Sequence, residues 1–207
     1  MKRLIILFSA FLVVMFSVAA HATVITFEDI LPANHLKPVP SGYAGFTWGA
    51  SDYVMDPVTY GVPSGYVRGT MGALSIFGAW EQDISMARAQ PFDFLGAYIT
   101  AAWNDNEKVT VEGWLNGARK YSRDIFTSAD HAYWWDFNFN NIDQLVIRSL
   151  PEDGTWAGED GAGSHQVVDN ITYNGSAPVP EPATMLLVGG GLSALIFGKR
   201  RRGSLLK

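Results

Sequence analysis

"KVTVEGWLNGARKYSRDIF" occupies residues 108–126. Two runs of alternating apolar and polar residues, 108–115 and 119–126, flank Asn116-Gly117. A period of two marks a strand with one buried face. Asn-Gly between two such runs is a strong hairpin signal, because both turn residues must take positive φ. The segment therefore reads as two antiparallel strands.

The same reading extends outward. "VITFED" (24–29), "AGFTW" (44–48), "ALSIFG" (73–78), "FDFLGAYITAAW" (92–103), "AYWWDFNF" (132–139), "DQLVIRS" (143–149) and "HQVVDNITYN" (165–174) also read as strands. Asn104-Asp105-Asn106 and Asn140-Asn141 read as turns between them. No helical periodicity of useful length interrupts the series. About nine short strands at this spacing predict an all-β fold, an antiparallel β-sandwich of jelly-roll type. An immunoglobulin-like sandwich is the alternative.

The two ends have a different grammar. Lys2 and Arg3 precede the apolar run Leu4 to Val18, and Ala20-His21-Ala22 offers a small-residue cleavage site. Residues 1–22 therefore read as a secretory signal peptide, with the mature chain starting at Thr23. At the other end, linker 175–182 contains Pro180-Glu181-Pro182 and leads into the apolar or small run 183–198. Those sixteen residues would make a helix about 24 Å long, short for a hydrocarbon core of about 30 Å. Gly189-Gly190-Gly191 weakens its middle. Lys199 and Arg200 to Arg202 open the basic tail 199–207, which is expected to stay cytoplasmic. Linker, Pro-Glu-Pro, short transmembrane helix and arginine cluster, in that order, resemble the PEP-CTERM sorting signal. The resemblance implies export by the Sec route and removal of the leader by signal peptidase. An exosortase at the inner membrane would then cut near Pro180, Glu181 and Pro182, after only a transient membrane stage. It also implies a role near exopolysaccharide.

The segment between the two signals, 23–174, is long enough for one ordinary domain with its own core. Up to Val179 the exported part carries eight cations against nineteen anions, a net charge of −11. That surface repels nucleic acid and suits neutral sugars or cations. The chain contains no cysteine, so stability must come from burial or from a metal held without thiolates. His35, His131 and His165 are scattered, which argues against zinc.

"FLGAYITAAWNDNEKVTVEGWLNGARKYSRDIF" (94–126) and "VVDNITY" (167–173) are similar to stretches of galactose-binding-like sandwiches. In such domains the first and last strands lie close together and hold a structural calcium. Glu28 and Asp29 close the first strand, and Asp169 sits in the last, in register with Val167 and Ile171. Calcium prefers oxygen ligands of this kind, so Glu28, Asp29 and Asp169 are the candidate calcium ligands. Carboxylates that cap loop N–H groups are the other reading.

Two strands expose aromatic side chains by register. In "AYWWDFNF", Tyr133, Trp135, Phe137 and Phe139 share the core face, leaving Trp134, Asp136 and Asn138 outward. In "VTVEGWL", Val109 and Val111 point inward, and Trp114 projects outward beside Glu112. An exposed indole next to carboxylate or amide groups suits a pyranose, whose C–H face stacks while its hydroxyls hydrogen-bond. Trp134, Asp136, Asn138 and Trp114 are the candidate carbohydrate contacts. The acidic loop 151–164 fits no calcium-loop spacing, and Trp156 lies in its middle. Nucleophile-elbow, zincin, P-loop and dinucleotide motifs are absent from the sequence. The expectation is a non-catalytic module associated with extracellular polysaccharide. A self-associating matrix protein and an extracellular glycoside hydrolase are the alternatives.

Overall fold

The computed structural model describes residues 22–32, 34–150, 154–158 and 160–175. The chain divides into two compact units, Met1–Ser176 and Ala177–Lys207. The second unit, with the Pro-Glu-Pro triplet and the expected transmembrane helix, lies outside the described residues, as does most of the expected leader. Among the described residues no helix is long and apolar enough to cross a membrane.

Twelve strands are described: β1 Ala22–Ile25, β2 Leu36–Pro38, β3 Thr47–Trp48, β4 Asp52–Met55, β5 Ser75–Gly78, β6 Ile84–Ala101, β7 Asn104–Asp105, β8 Glu107–Leu115, β9 Ala118–Thr127, β10 Tyr133–Ser149, β11 Thr155–Trp156 and β12 Gln166–Gly175. The main ladder runs β2-β4-β5-β12-β6-β10-β8-β9, with β1 added to β12 and β3 to β6. Two short helices, α1 Pro57–Tyr60 and α2 Gly65–Gly69, lie between β4 and β5. They are too short for sequence periodicity to report. Asp56 caps α1 by accepting from the N–H groups of Val58 and Thr59, both at 3.0 Å. Helix α2 rests directly on the backbone of β6: a Cβ on Gly65 would come within 1.8 Å of the Ala101 carbonyl oxygen.

The Asn116-Gly117 hairpin is as expected, with φ of 52° and 75° at its two turn residues. Asn140-Asn141 differs from expectation. It is no turn, because β10 runs unbroken from Tyr133 to Ser149. The register slips between Asp136 and Phe139 and again between Phe139 and Ile142. Asn138 (φ 53°) and Asn141 (φ 54°) take the left-handed conformation at these β-bulges. Asparagine tolerates that conformation best among side-chain-bearing residues, so a turn and a bulge read alike in sequence. Side chains satisfy the bulge: Asn141 N–H donates to Asp93 at 2.7 Å, and the Asn140 carbonyl accepts from Lys120 at 2.9 Å. On β6 the register jumps from Phe92 to Ala87, which sets Pro91 in an irregular stretch where its missing N–H does no harm.

These bulges bend the long strands, so that the ladder folds back on itself as a β-sandwich. Phe46, Phe92, Phe94, Ile99, Val109, Val111, Ile142, Leu145 and Ile171 fill the space between the layers. Strands β9 and β10 also touch across β8, which lies between them, because Gly113 of β8 leaves room for their rings. Tyr121 stacks on Phe139 at 4.8 Å with an interplanar angle of 6°. A second apolar cluster of Met55, Tyr66, Phe77, Trp103 and Val167 forms beneath α2.

The register expected for Asp169 is also corrected. Val167 belongs to the cluster beneath α2 and Ile171 to the inter-layer core. Asn170 (φ 50°) lies within a register shift between Asp169 and Thr172, so these two apolar residues face opposite sides.

Candidate functional site

The bends in β10 and β6 leave two stretches of regular pairing, Gln144–Ile147 with Ile84–Ala87 and Tyr133–Asp136 with Gly96–Ile99; the second holds Trp134↔Tyr98 and Asp136↔Gly96. Side chains alternate across a strand, so Trp134 and Asp136 share the outer face while Phe137 and Phe139 enter the core. Tyr133 is 40 % exposed and Trp135 only packs against the core's edge, because the buried face begins at Phe137. Trp134 is 39 % exposed. Its indole N–H donates to Asp136 Oδ1 at 2.8 Å, and Tyr98 meets it edge-on with ring centroids 5.3 Å apart. The benzene ring of the indole lies over Gly96: a Cβ there would sit 2.6 Å from Cζ2 of Trp134. One ring face therefore rests on the sheet backbone. Asn138 lies within the bulge, exposed, and supplies its left-handed backbone turn.

Sequence reasoning missed three participants. Gly96 and Tyr98 would have emerged from carrying the alternation through "FDFLGAYIT". Arg123 had no local signal: its guanidinium donates to the Asp136 carbonyl oxygen and lies 5.4 Å from the Phe137 ring centre.

Trp114 repeats the tryptophan–carboxylate pairing elsewhere. It is half-buried, and its indole N–H donates to Glu112 Oε2 at 3.2 Å. Glu112 also accepts from Arg119 at 2.8 Å and from Arg148 at 2.9 Å, and Arg148 pairs with Asp83. Burial opposes ionisation of Glu112, but the two arginines outweigh it and hold the carboxyl below its usual range. The structure does not bring the two tryptophans together. Trp114 pairs across β8–β10 with Gln144, ten residues along β10 from Trp134.

The three acidic residues proposed for calcium part company. Glu28 Oε1 accepts from the N–H groups of Ala73 and Leu74 at 2.9 and 3.1 Å. Asp169 accepts from Met71 N–H at 2.7 Å and from Asn170 N–H at 2.6 Å. Both therefore hold the 71–74 loop. Burial raises the Asp169 carboxyl to about 6, against the pull of those N–H groups, and nearby Glu28 adds to the rise. Asp29 instead accepts from the Tyr43 hydroxyl at 2.6 Å. Among the described residues no group of three or more His, Cys, Asp or Glu side chains could hold a metal ion.

Residues 178–202 match the PEP-CTERM protein-sorting motif, which takes in Pro180, Glu181 and Pro182. That motif marks the chain as an exported protein sorted to the cell surface. Among curated proteins none matches the chain in sequence. Solved structures similar to it include a DUF4465 family protein from Bacteroides ovatus ATCC 8483, at 9% identity and a TM-score of 0.42, covering 76% of this chain and 95% of that one. A mutant of the family 29 carbohydrate-binding module CBM29-2 aligns at 14% identity and a TM-score of 0.36, over 78% and 99% of the two chains. An exo-beta-agarase aligns at 10% identity and a TM-score of 0.39, covering 76% of this chain and 26% of its own.

Proposed function

We propose that this is a non-catalytic, polysaccharide-binding surface protein. It enters the Sec route by its leader, pauses in the inner membrane by its C-terminal span, and is released by exosortase near Pro180-Glu181-Pro182. The observation that carries the binding role is the Trp134 platform. An indole lying on Gly96, tied to Asp136 and braced by Tyr98, offers a pre-set aromatic surface with an acceptor at its edge. Such an arrangement suits the C–H face and hydroxyls of a sugar ring, and its fixed orientation lowers the cost of binding. The acidic character of the exported part favours neutral glycans.

Self-association through the sheet edge has less support. Strand β9 ends the ladder but carries Arg119, Lys120, Arg123 and Asp124, and charged side chains along an edge strand oppose pairing with a second copy.

Glycan-array binding and affinity electrophoresis of the exported protein test the reading. Wild-type protein is expected to be retarded by at least one neutral polysaccharide. Trp134→Ala is expected to weaken that binding about tenfold or more. Full binding by Trp134→Ala would reject the platform. Mass spectrometry of the exported protein tests the processing step, since an intact C-terminus in the medium would contradict exosortase release.

A further inference from the structure

The outer face that carries Trp134 does not end there. Tyr133 pairs with Ile99 one step further along the β6–β10 ladder, and Thr100 Oγ1 donates to the His131 carbonyl at 3.4 Å. Two residues beyond Tyr98, Thr100 faces the same side, and α2 rests on this stretch of β6. Arg68 of α2 reaches back to donate its Nε–H to the Ala129 carbonyl at 2.5 Å.

At this point a pocket of about 280 Å³ opens, lined by Arg68, Asp105, Asp130 and Ala157. Its four walls come from α2, β7, the loop after β9 and the residue after β11, and they are fastened to one another. Ala129 N–H donates to Asp105 Oδ1 at 3.3 Å, Ala157 N–H to the Trp103 carbonyl at 3.0 Å, and Thr155 pairs with Asp105. The floor beside it is rigid, since Trp103 is buried in the cluster beneath α2.

We infer that this pocket seats the terminal sugar of the glycan that lies on Trp134, so that the domain recognises chain ends. The inference rests on the glycan-binding reading and extends the same site. Asp105 accepts from Ala129 N–H, and Asp130 accepts from His131 N–H at 2.9 Å and pairs with His131 Nδ1 at 2.9 Å. Each carboxylate still has further lone pairs for neighbouring hydroxyls, and the Arg68 guanidinium brings N–H donors to the same space. The surplus negative charge disfavours a uronate or other anionic sugar. The volume lies near the lower bound of ligand pockets, which begin at about 300 Å³, about the size of one ring. Helix α2 covers the same sheet face at Thr100, which is fully buried beneath Gly69, so that a chain lying on Trp134 ends there. Asp130 is four residues from Trp134, a span of at most about 14 Å, so an oligosaccharide of a few rings would reach both.

The test uses exported protein labelled with ¹⁵N and titrated with neutral trisaccharides of glucose, galactose and mannose, then with longer polymers of whichever binds. Expected are shifts of the Trp134 indole N–H together with the amides of Ala129, Asp130 and Ala157. Affinity counted per chain should be unchanged from trisaccharide to polymer. Asp130→Asn, which keeps an acceptor for His131 N–H, should weaken trisaccharide binding by about tenfold. Shifts at Trp134 alone, or affinity per chain that grows with length, would overturn the end-seating and leave the Trp134 platform standing. No shift at either place with any of the probes would overturn both.

Discussion

The indole of Trp134 and the carboxylate of Asp136 are bonded at 2.8 Å across two positions of one strand face. Residues i and i+2 of a strand point the same way, so this bond needs no distant partner and is written into "WWD" itself. It fixes the ring about its side-chain torsions, which an exposed tryptophan otherwise samples freely.

The neighbouring tryptophans should therefore respond in opposite ways to truncation. Trp134→Ala removes a half-exposed ring and one surface hydrogen bond, and is expected to cost less than about 1 kcal/mol of stability. Trp135 packs against the core and donates its indole N–H to the Ile99 carbonyl at 3.3 Å. Trp135→Ala is expected to cost about 3 kcal/mol, near the lower end for core aromatics, while sparing glycan contacts. Urea unfolding of both variants checks this, and the reverse order would place the register one residue out.

Gly96→Ala tests whether the platform needs its glycine. The added methyl would meet the Trp135 carbonyl oxygen at 2.5 Å and the Trp134 ring at 2.6 Å. The ring can swing away, but the backbone oxygen cannot. A loss of about 1–3 kcal/mol is expected, with Trp134 fluorescence shifted toward that of a solvated indole. An unchanged spectrum and stability would mean that the ring does not rest there.

The hairpin at Asn116-Gly117 and the inward set Val109, Val111, Phe137 and Phe139 were legible because local alternation and turn chemistry agree there. The bulges were not. Asn138, Asn141 and Asn170 carry the same composition signal as a turn, and only pairing with β6 decides between the two. The short strands β2 and β4 lacked enough residues to show a period. Outward placement of Trp134 was readable from two-residue periodicity, whereas Trp114 is half-buried beside a buried Glu112 because the β8–β9 register shifts between Gly113 and Trp114. Arg123 and Arg68 reach the site through pairing and helix docking between segments far apart in sequence, which no local pattern encodes.

Glu28 and Asp169 are expected to act on the 71–74 loop by accepting its N–H groups. Removing either acceptor frees loop donors, so the buried Asp169→Ala is expected to cost about 1–3 kcal/mol and the exposed Glu28→Ala about 0.5–1.5 kcal/mol. The two changes should be non-additive, because they serve one loop. Melting curves in calcium and in chelator separate this role from the calcium reading. Coincident curves fit loop capping, whereas a rise of several degrees with calcium would show the carboxylates turned to a metal.

Asp52 gives the clearest pH signature. It is 1 % exposed. Its Oδ2 accepts from Gly49 N–H at 2.7 Å and Ser85 N–H at 3.3 Å, but its buried Oδ1 has no hydrogen-bond partner. Burial raises the carboxyl from 3.8 to about 7, outweighing those two N–H groups. In the unfolded chain the group titrates near 3.8, so between about pH 4 and 7 the folded state holds a proton that the unfolded state has released. Stability from this residue is then full below about pH 4, falls as pH rises to about 7, and is level above. Asp169, raised to about 6, adds a smaller fall in the same direction. Glu112 works oppositely, and only below the ordinary carboxylate range. Asp52→Asn keeps an acceptor for Gly49 but cannot ionise, so its stability should vary much less between pH 4 and 7 than that of the wild type. The difference between the two slopes should amount to about 2–4 kcal/mol over that interval. Denaturant unfolding at half-unit pH steps measures it, and parallel profiles for the two proteins would mean that Asp52 is ionised without penalty in the fold.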